Sequence, residues 1–117
     1  MTGLETTLPL LLTAANENRL TLQDIARLTS HNPARVYHLA RKGNIARGND
    51  ADLVFVKLNE EYVLHGPWQT KSNWSPFEGR RVRGRIASVL LRGREVMRAG
   101  QILAEPGSGR EVETGQI

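Results

Sequence analysis

The residues to test first for metal or acid–base chemistry are the three histidines, His31, His38 and His65. An imidazole titrates near neutral pH and is the commonest metal ligand. A zinc or iron site draws two or three such groups together, often as His-x-His on a strand or His-x-x-x-His on a helix. Neither spacing occurs here. His31 falls in a link between two helical patterns, His38 on the second pattern, and His65 at the start of a long polar stretch. His31 and His38 read as surface or helix-end residues. Asp50 and Asp52 are two apart and would share one face of a strand, as paired carboxylates might. A turn explains them better: Asp50 suits an Asx-type turn, and Asp52 can hold turn amides at a strand start. Ser30, Ser72, Ser75, Ser88 and Ser108 sit in no Gly-x-Ser-x-Gly elbow. Cysteine is absent, which removes disulfides, thiolate metal sites and thiol nucleophiles. No glycine-rich segment stands between a strand and a helix, where a phosphate would be cradled. The expectation is no catalytic, cofactor-binding or metal residue in this chain.

Charge suggests other partners. The net charge is +4, carried by thirteen arginines against three lysines. Arg80, Arg81, Arg83, Arg85, Arg92, Arg94 and Arg98 lie close together, with Glu95 the only acid from Arg80 to Arg98. Such a run could face phosphate or nucleic acid. No aromatic residue follows Phe77 to stack on bases, so a solvated strand face fits better. Nucleic acid is therefore not the expected partner. No apolar run reaches the ~18 residues of a membrane span, and Pro9 interrupts the most apolar segment. A cytoplasmic location is expected.

These groups need elements to position them. Leu4, Leu8, Leu11, Leu12 and Ala15 recur at helical spacing over residues 4–18. A start near Thr7 places Pro9 in the first turn, where a missing N–H costs little. Thr21-Leu-Gln-Asp24 resembles a capping box and predicts a second helix carrying Leu22, Ile25, Ala26 and Leu28. Asn32-Pro33 predicts a third helix to about Arg41, burying Val36, Leu39 and Ala40, with Lys42 at its negative end and Gly43 closing it. Strands are expected at 53–58 and 61–64 around Asn59, then at 85–91 and 95–99 across an Arg92-Gly93-Arg94 turn. A loop fills 65–84, and a short piece runs from 101 to 104. The organisation reads as a helical segment at 1–43, a β segment at 44–104 and a flexible tail at 105–117.

Residues 21–41 also scan as a helix-turn-helix, with Ala26 where two helices pack closely and Val36 as the apolar residue of a recognition helix. Ser30 stands where the tight turn usually takes glycine, and His31 where an apolar residue follows.

Four blocks in order carry a further resemblance, from about Gly3 to Gly100. They are Gly3-Leu-Glu-Thr-Thr-Leu-Pro9, Thr29-Ser-His-Asn-Pro-Ala-Arg35, Gly43-Asn-Ile-Ala-Arg-Gly-Asn-Asp-Ala-Asp-Leu-Val54 and Lys71-Ser-Asn-Trp-Ser-Pro-Phe-Glu-Gly79. With the strand and turn from Arg85 to Gly93, the chain resembles the C-terminal portion of dihydroorotase and its cyclic-amidohydrolase relatives, allantoinase and dihydropyrimidinase. The Gly-Leu-Glu-Thr and Ser-Pro-Phe-Glu-Gly blocks favour dihydroorotase. The resemblance implies an α+β architecture: the last helices of a (β/α) barrel, then a small antiparallel β-sandwich segment. It implies descent from a two-zinc hydrolase of pyrimidine synthesis, which interconverts N-carbamoyl-L-aspartate and dihydroorotate. The metal ligands of that family would all precede Met1, so none transfers to a position here. Whether this chain is itself an enzyme is left open, and a fragment inactive in isolation is the expectation. A non-catalytic partner that completes another amidohydrolase chain is the alternative, beside the DNA-binding one. Leu8, Leu11, Leu12, Ile25 and Leu28 would pack on a barrel. They predict an exposed apolar helix face for a barrel chain or for self-association.

Overall fold

The computed structural model of the chain describes residues 3–114. Helices come first: α1 (Thr7–Asn16), α2 (Leu22–Ala26) and α3 (Asn32–Val36). Four strands follow: β1 (Leu53–Val63), β2 (Arg81–Leu91), β3 (Arg94–Arg98) and β4 (Gln101–Ile102). They form one sheet in the order β1-β2-β3-β4, and the β2–β3 and β3–β4 pairs are antiparallel. The fold is α+β. Two compact units interleave along the chain, and β1 and β2 each contribute residues to both.

The first unit takes residues through Thr21 together with Val56–Arg85. Pro9 sits in the first turn of α1, as its missing N–H requires, and is buried with Leu12. Leu12, at 2% exposure, belongs to the core with Val82 and Leu64. This corrects its place in an exposed helix face. A side chain on Gly84 would put its Cβ 2.6 Å from the Leu12 Cβ, and Gly84 has φ +114. Glycine in β2 therefore lets α1 lie directly on the strand. Thr13 Oγ1 accepts the Arg83 amide at 2.9 Å, and Asn16 donates to the Leu58 and Arg83 carbonyls at 2.9 and 3.1 Å. These polar bonds fix the C-terminal half of α1.

β1 runs unbroken through Asn59, against the expected pair of strands. It is an edge strand, so polar residues on both faces face water at little cost and no turn is forced. β2 begins at Arg81, which shortens the expected loop to residues 64–80. That loop is organised by its own side chains. Asn73 Oδ1 accepts the Trp68 amide, Ser75 Oγ the Phe77 amide, and Glu78 the Gly66 amide.

The second unit takes Leu22–Phe55 together with residues from Ile86 on. The expected break at Asn32 is absent. α2 continues through a π-helical turn, Arg27–His31, directly into α3. Pro33 cannot donate a bond, and its ring presses on the carbonyl four residues back; the wider turn before it relieves that clash. The Asn32 amide accordingly donates five residues back, to the Arg27 carbonyl.

α3 also stops at Val36, well short of Arg41. His38 adopts φ +53, and the amides of His38 and Leu39 return to the Arg35 and Ala34 carbonyls at 3.3 and 2.8 Å. That is a Schellman closure with histidine in the left-handed position usually held by glycine. Gly43 is left-handed too, but its task is packing: an added Cβ would lie 2.5 Å from the Ala34 Cβ. Val36 is exposed, so the expected burial of the third helix fails at its apolar anchor. Ile25 is buried and Leu28 is 55% exposed, which divides the predicted apolar face. In the segment expected to fray, Arg92 donates to the Ser108 carbonyl and Leu39 bridges to Thr114, while residues 115–117 lie outside the described residues.

Candidate functional site

The densest cluster of charge lies in the second unit, around the turn that precedes β1. Ending α3 early frees Tyr37–Lys42 to fold back as irregular chain. The Asp50 amide then donates to the Arg41 carbonyl at 2.9 Å, drawing the Asp50–Asp52 turn against Lys42. Lys42 Nζ lies 3.0 Å from Asp50 Oδ2 and 2.5 Å from Asp52 Oδ2. The other Asp52 oxygen accepts the Arg92 amide at 2.9 Å, and the Ala51 carbonyl accepts the Gly93 amide at 2.9 Å. Asp50 also has the Arg41 Nε 3.8 Å away. Lys42 was expected to serve a helix dipole. It is instead the hub that ties the turn before β1 to the turn between β2 and β3.

Electrostatics follow from these contacts. The Asp52 hydrogen bond raises Lys42 above the ordinary lysine range, Asp50 adds to it, and burial opposes both. The Lys42 hydrogen bond lowers Asp50, against burial and with help from Arg41 and Arg110. For Asp52, burial is the largest influence and pushes upward. The Lys42 ammonium and the Arg92 amide together outweigh it, and the carboxyl ends below its usual range. All three groups are thus held in their charged forms. A general acid or base needs the opposite, a pKa drawn toward neutrality. A polar cleft of about 130 Å³ beside the cluster is lined by Arg41, Lys42, Asp50, Arg92, Arg110 and Glu113, among others. Its charges are of both signs, and the lining holds no Ser, Thr, Cys or His as a nucleophile or shuttle. The arrangement can lock turns together.

The histidines fall on three different local structures. His31 ends the π-helical turn, His38 makes the left-handed closure, and His65 Nδ1 lies 2.7 Å from the Gly66 carbonyl. Among the described residues, no three His, Asp or Glu side chains gather closely enough to hold a metal ion. The donor set therefore does not fit the two-zinc centre that the resemblance implies. No helix among the described residues is long and apolar enough to cross a membrane.

Three arginines of the run pair with acids of the sheet. Arg85 Nε lies 2.8 Å from Glu60 Oε1, and its guanidinium sits 4.1 Å from the Tyr62 ring centre. Arg81 pairs with Glu61, and Arg98 with Glu95. Glu95 is held low by Arg98 first and by the Ser88 hydroxyl second. The first unit has a polar anchor as well. Glu5 Oε1 accepts the Gln69 and Thr70 amides at 2.6 and 3.0 Å, fastening the long loop near α1. Sequence reasoning missed both Glu5 and Lys42 as organisers. Glu5 lies within the Gly-Leu-Glu-Thr block, the only hint it offers. Lys42 partners acids eight and ten residues on, a separation without helical or strand periodicity.

Residues 2–96 match the amidohydrolase family. This chain belongs to that family. It is 40% identical over 114 residues to a dihydroorotase of Pyrococcus horikoshii, a match covering 97% of this chain and 27% of that enzyme. It is 42% identical over 111 residues to the multifunctional protein CAD of Squalus acanthias, covering 94% of this chain and 5% of that one. Among solved structures, the L-hydantoinase (dihydropyrimidinase) from Arthrobacter aurescens superposes with a TM-score of 0.90 at 33% identity, over 94% of this chain and 25% of that one. The chain therefore spans about a quarter of the length of these single-function amidohydrolases.

Proposed function

We propose that this chain is the non-catalytic closing segment of a dihydroorotase-type cyclic amide hydrolase. In this reading α1 to α3 are the helices that end the barrel, and the four strands are part of a small β-sandwich. The carrying observation is 40% identity over 97% of the chain to the Pyrococcus horikoshii dihydroorotase, of which the match covers 27%. The short polar contacts at Lys42 and Glu5 tie backbone turns and loops together, as a structural segment needs. The substrate chemistry, opening a cyclic amide such as dihydroorotate, and the zinc that supports it would belong to the remainder of such an enzyme. A helix-turn-helix role is not favoured, because α3 has five residues and leaves Val36 in solvent. The test is zinc content and dihydroorotate turnover of the purified chain with zinc supplied. Sub-stoichiometric zinc and no turnover are expected. One zinc or more per chain, with turnover, would overturn the proposal.

A further inference from the structure

The Lys42–Asp50–Asp52 cluster also holds the stretch of chain that follows β4. There the backbone turns at Ser108, whose amide and hydroxyl both donate to the Glu105 carbonyl, at 3.2 and 2.7 Å. Two ties fix the residues beyond. The Arg92 guanidinium donates to the Ser108 carbonyl at 3.1 Å, while the Arg92 amide donates to Asp52 at 2.9 Å. At the far end Thr114 forms an antiparallel bridge with Leu39, three residues before Lys42. Both ties land on chain that the cluster itself organises, and all of it lies in the second unit.

The residues between the ties line the polar cleft. Arg110, Glu111, Val112 and Glu113 form part of its wall, and Arg41, Lys42, Asp50 and Arg92 form another part. The two parts carry opposite balances of charge. The segment brings one cation and two acids; the cluster side brings three cations and one acid. Complementary charge of this kind seats one surface on another and fixes its register. Arg110 helps to hold Asp50 below its ordinary range, so the attraction is felt between the two parts. The Asp50 and Lys42 side chains keep only 16% and 18% exposure, whereas residues 108–114 are exposed themselves. A segment with little buried surface depends on such ties for its position and opens readily when they weaken.

We infer that residues 108–114 are a strap, tied at Ser108 and Thr114 and seated on the Lys42 cluster by charge complementarity, which comes free when either side of that complement is neutralised. Release uncovers Lys42, Asp50 and Arg92 together. The inference does not depend on the enzyme reading, because every residue in it belongs to this chain and its test reads chain cleavage, not activity.

The experiment is limited digestion of the full chain by a glutamate-specific protease, read by mass spectrometry, for the wild type, Arg110→Gln, Asp50→Asn and the double variant. Cleavage after Glu111 reads release of the strap. Each rate is divided by that of a free peptide of residues 105–117 with the same sequence. Cleavage after Glu17, in the other unit, is the reference for general loosening. The wild type is expected to be cut after Glu111 more slowly than its free peptide. Arg110→Gln should speed that cut about threefold with no change after Glu17, the scale of a partly exposed charge pair. Asp50→Asn should speed it at least as much. Arg110→Gln should then add little to Asp50→Asn, because both remove one shared attraction. A wild type cut after Glu111 as fast as the free peptide would overturn the inference. So would an Arg110→Gln variant cut no faster than the wild type, equal acceleration after Glu17, or full additivity in the double variant.

Discussion

In the unit containing α1, the best-buried side chains are Leu12, Val82 and Thr6, with Leu64 beside them in the core. In the unit containing α2 and α3, Ile25 and Ala34 are the buried apolar side chains among the described residues, and the shortest ties are ionic. One unit is held by removing apolar surface from water around a glycine gap. The other is held by a lysine between two aspartates. Both use a left-handed glycine for close approach, Gly84 against Leu12 and Gly43 against Ala34. They differ in what the approach achieves. At Gly84 it seats a large side chain; at Gly43 it brings a loop onto a short helix, and charges finish the closure. Apolar burial is indifferent to moderate salt and pH, whereas ion pairs respond to both. The two units should therefore fail under different stresses.

The largest effect is expected at Leu12. Leu12→Ala removes the central apolar side chain of its unit and should lower the unfolding free energy by about 2–5 kcal/mol, as buried leucines do. Urea denaturation measures it. A loss below about 1 kcal/mol would mean that α1 is not seated as its burial indicates.

Asp52→Asn comes next and should cost roughly 1 kcal/mol, the scale of one partly exposed charged hydrogen bond. It should also flatten the acid response of the second unit. Asp50, Asp52 and Glu95 are all held below their ordinary values, and all lie in that unit. Lowered carboxylates contribute stability in full above their unfolded values. That contribution is lost as pH falls through the folded ones. Lys42, raised, contributes fully below the ordinary lysine value of 10.5 and loses it as pH rises past the folded one. Amide exchange at Arg92, bonded to Asp52, should therefore accelerate relative to its intrinsic rate below about pH 4. Arg83, bonded to a threonine hydroxyl, should respond less. Equal acceleration at both amides would erase the contrast between the units.

The smallest effect is expected from salt. Raising ionic strength to about 1 M shortens the screening length to roughly 3 Å. Exchange at Arg92 should speed up by about twofold, since partly exposed pairs contribute little to begin with. Exchange at Arg83 is expected to stay constant.

Several elements of the fold were legible beforehand, and the exceptions have physical causes. Helical spacing located α1, and Pro9 fixed its first turn, because both signals are local. The β2–β3 hairpin followed from the Arg92-Gly93 turn and the alternation before it. The helical segment misled because Asn32-Pro33 is read as a start signal. A π-helical turn lets proline sit inside a continuing helix, and no residue type announces such a turn. His38 was hidden because histidine enters the left-handed region only when later contacts demand it. The continuity of β1 was hidden because Lys57 to Glu61 resemble a turn unless the strand is known to lie at an edge. Leu12 and Ile25 were assigned to an exposed face because helical periodicity says which residues share a side, not what covers it. The lock at Lys42 was not legible, since its partners meet only after α3 ends early.

The central claim is that this chain closes an amidohydrolase and does not do its chemistry. The most direct measurement exchanges the matching stretch of the Pyrococcus horikoshii dihydroorotase for this chain, then reads zinc content and dihydroorotate hydrolysis beside the isolated chain. The account predicts a folded, zinc-loaded, active chimera and an inactive isolated chain. A chimera that folds and loads zinc as the parent does yet shows no hydrolysis, or an isolated chain that hydrolyses dihydroorotate, would contradict it.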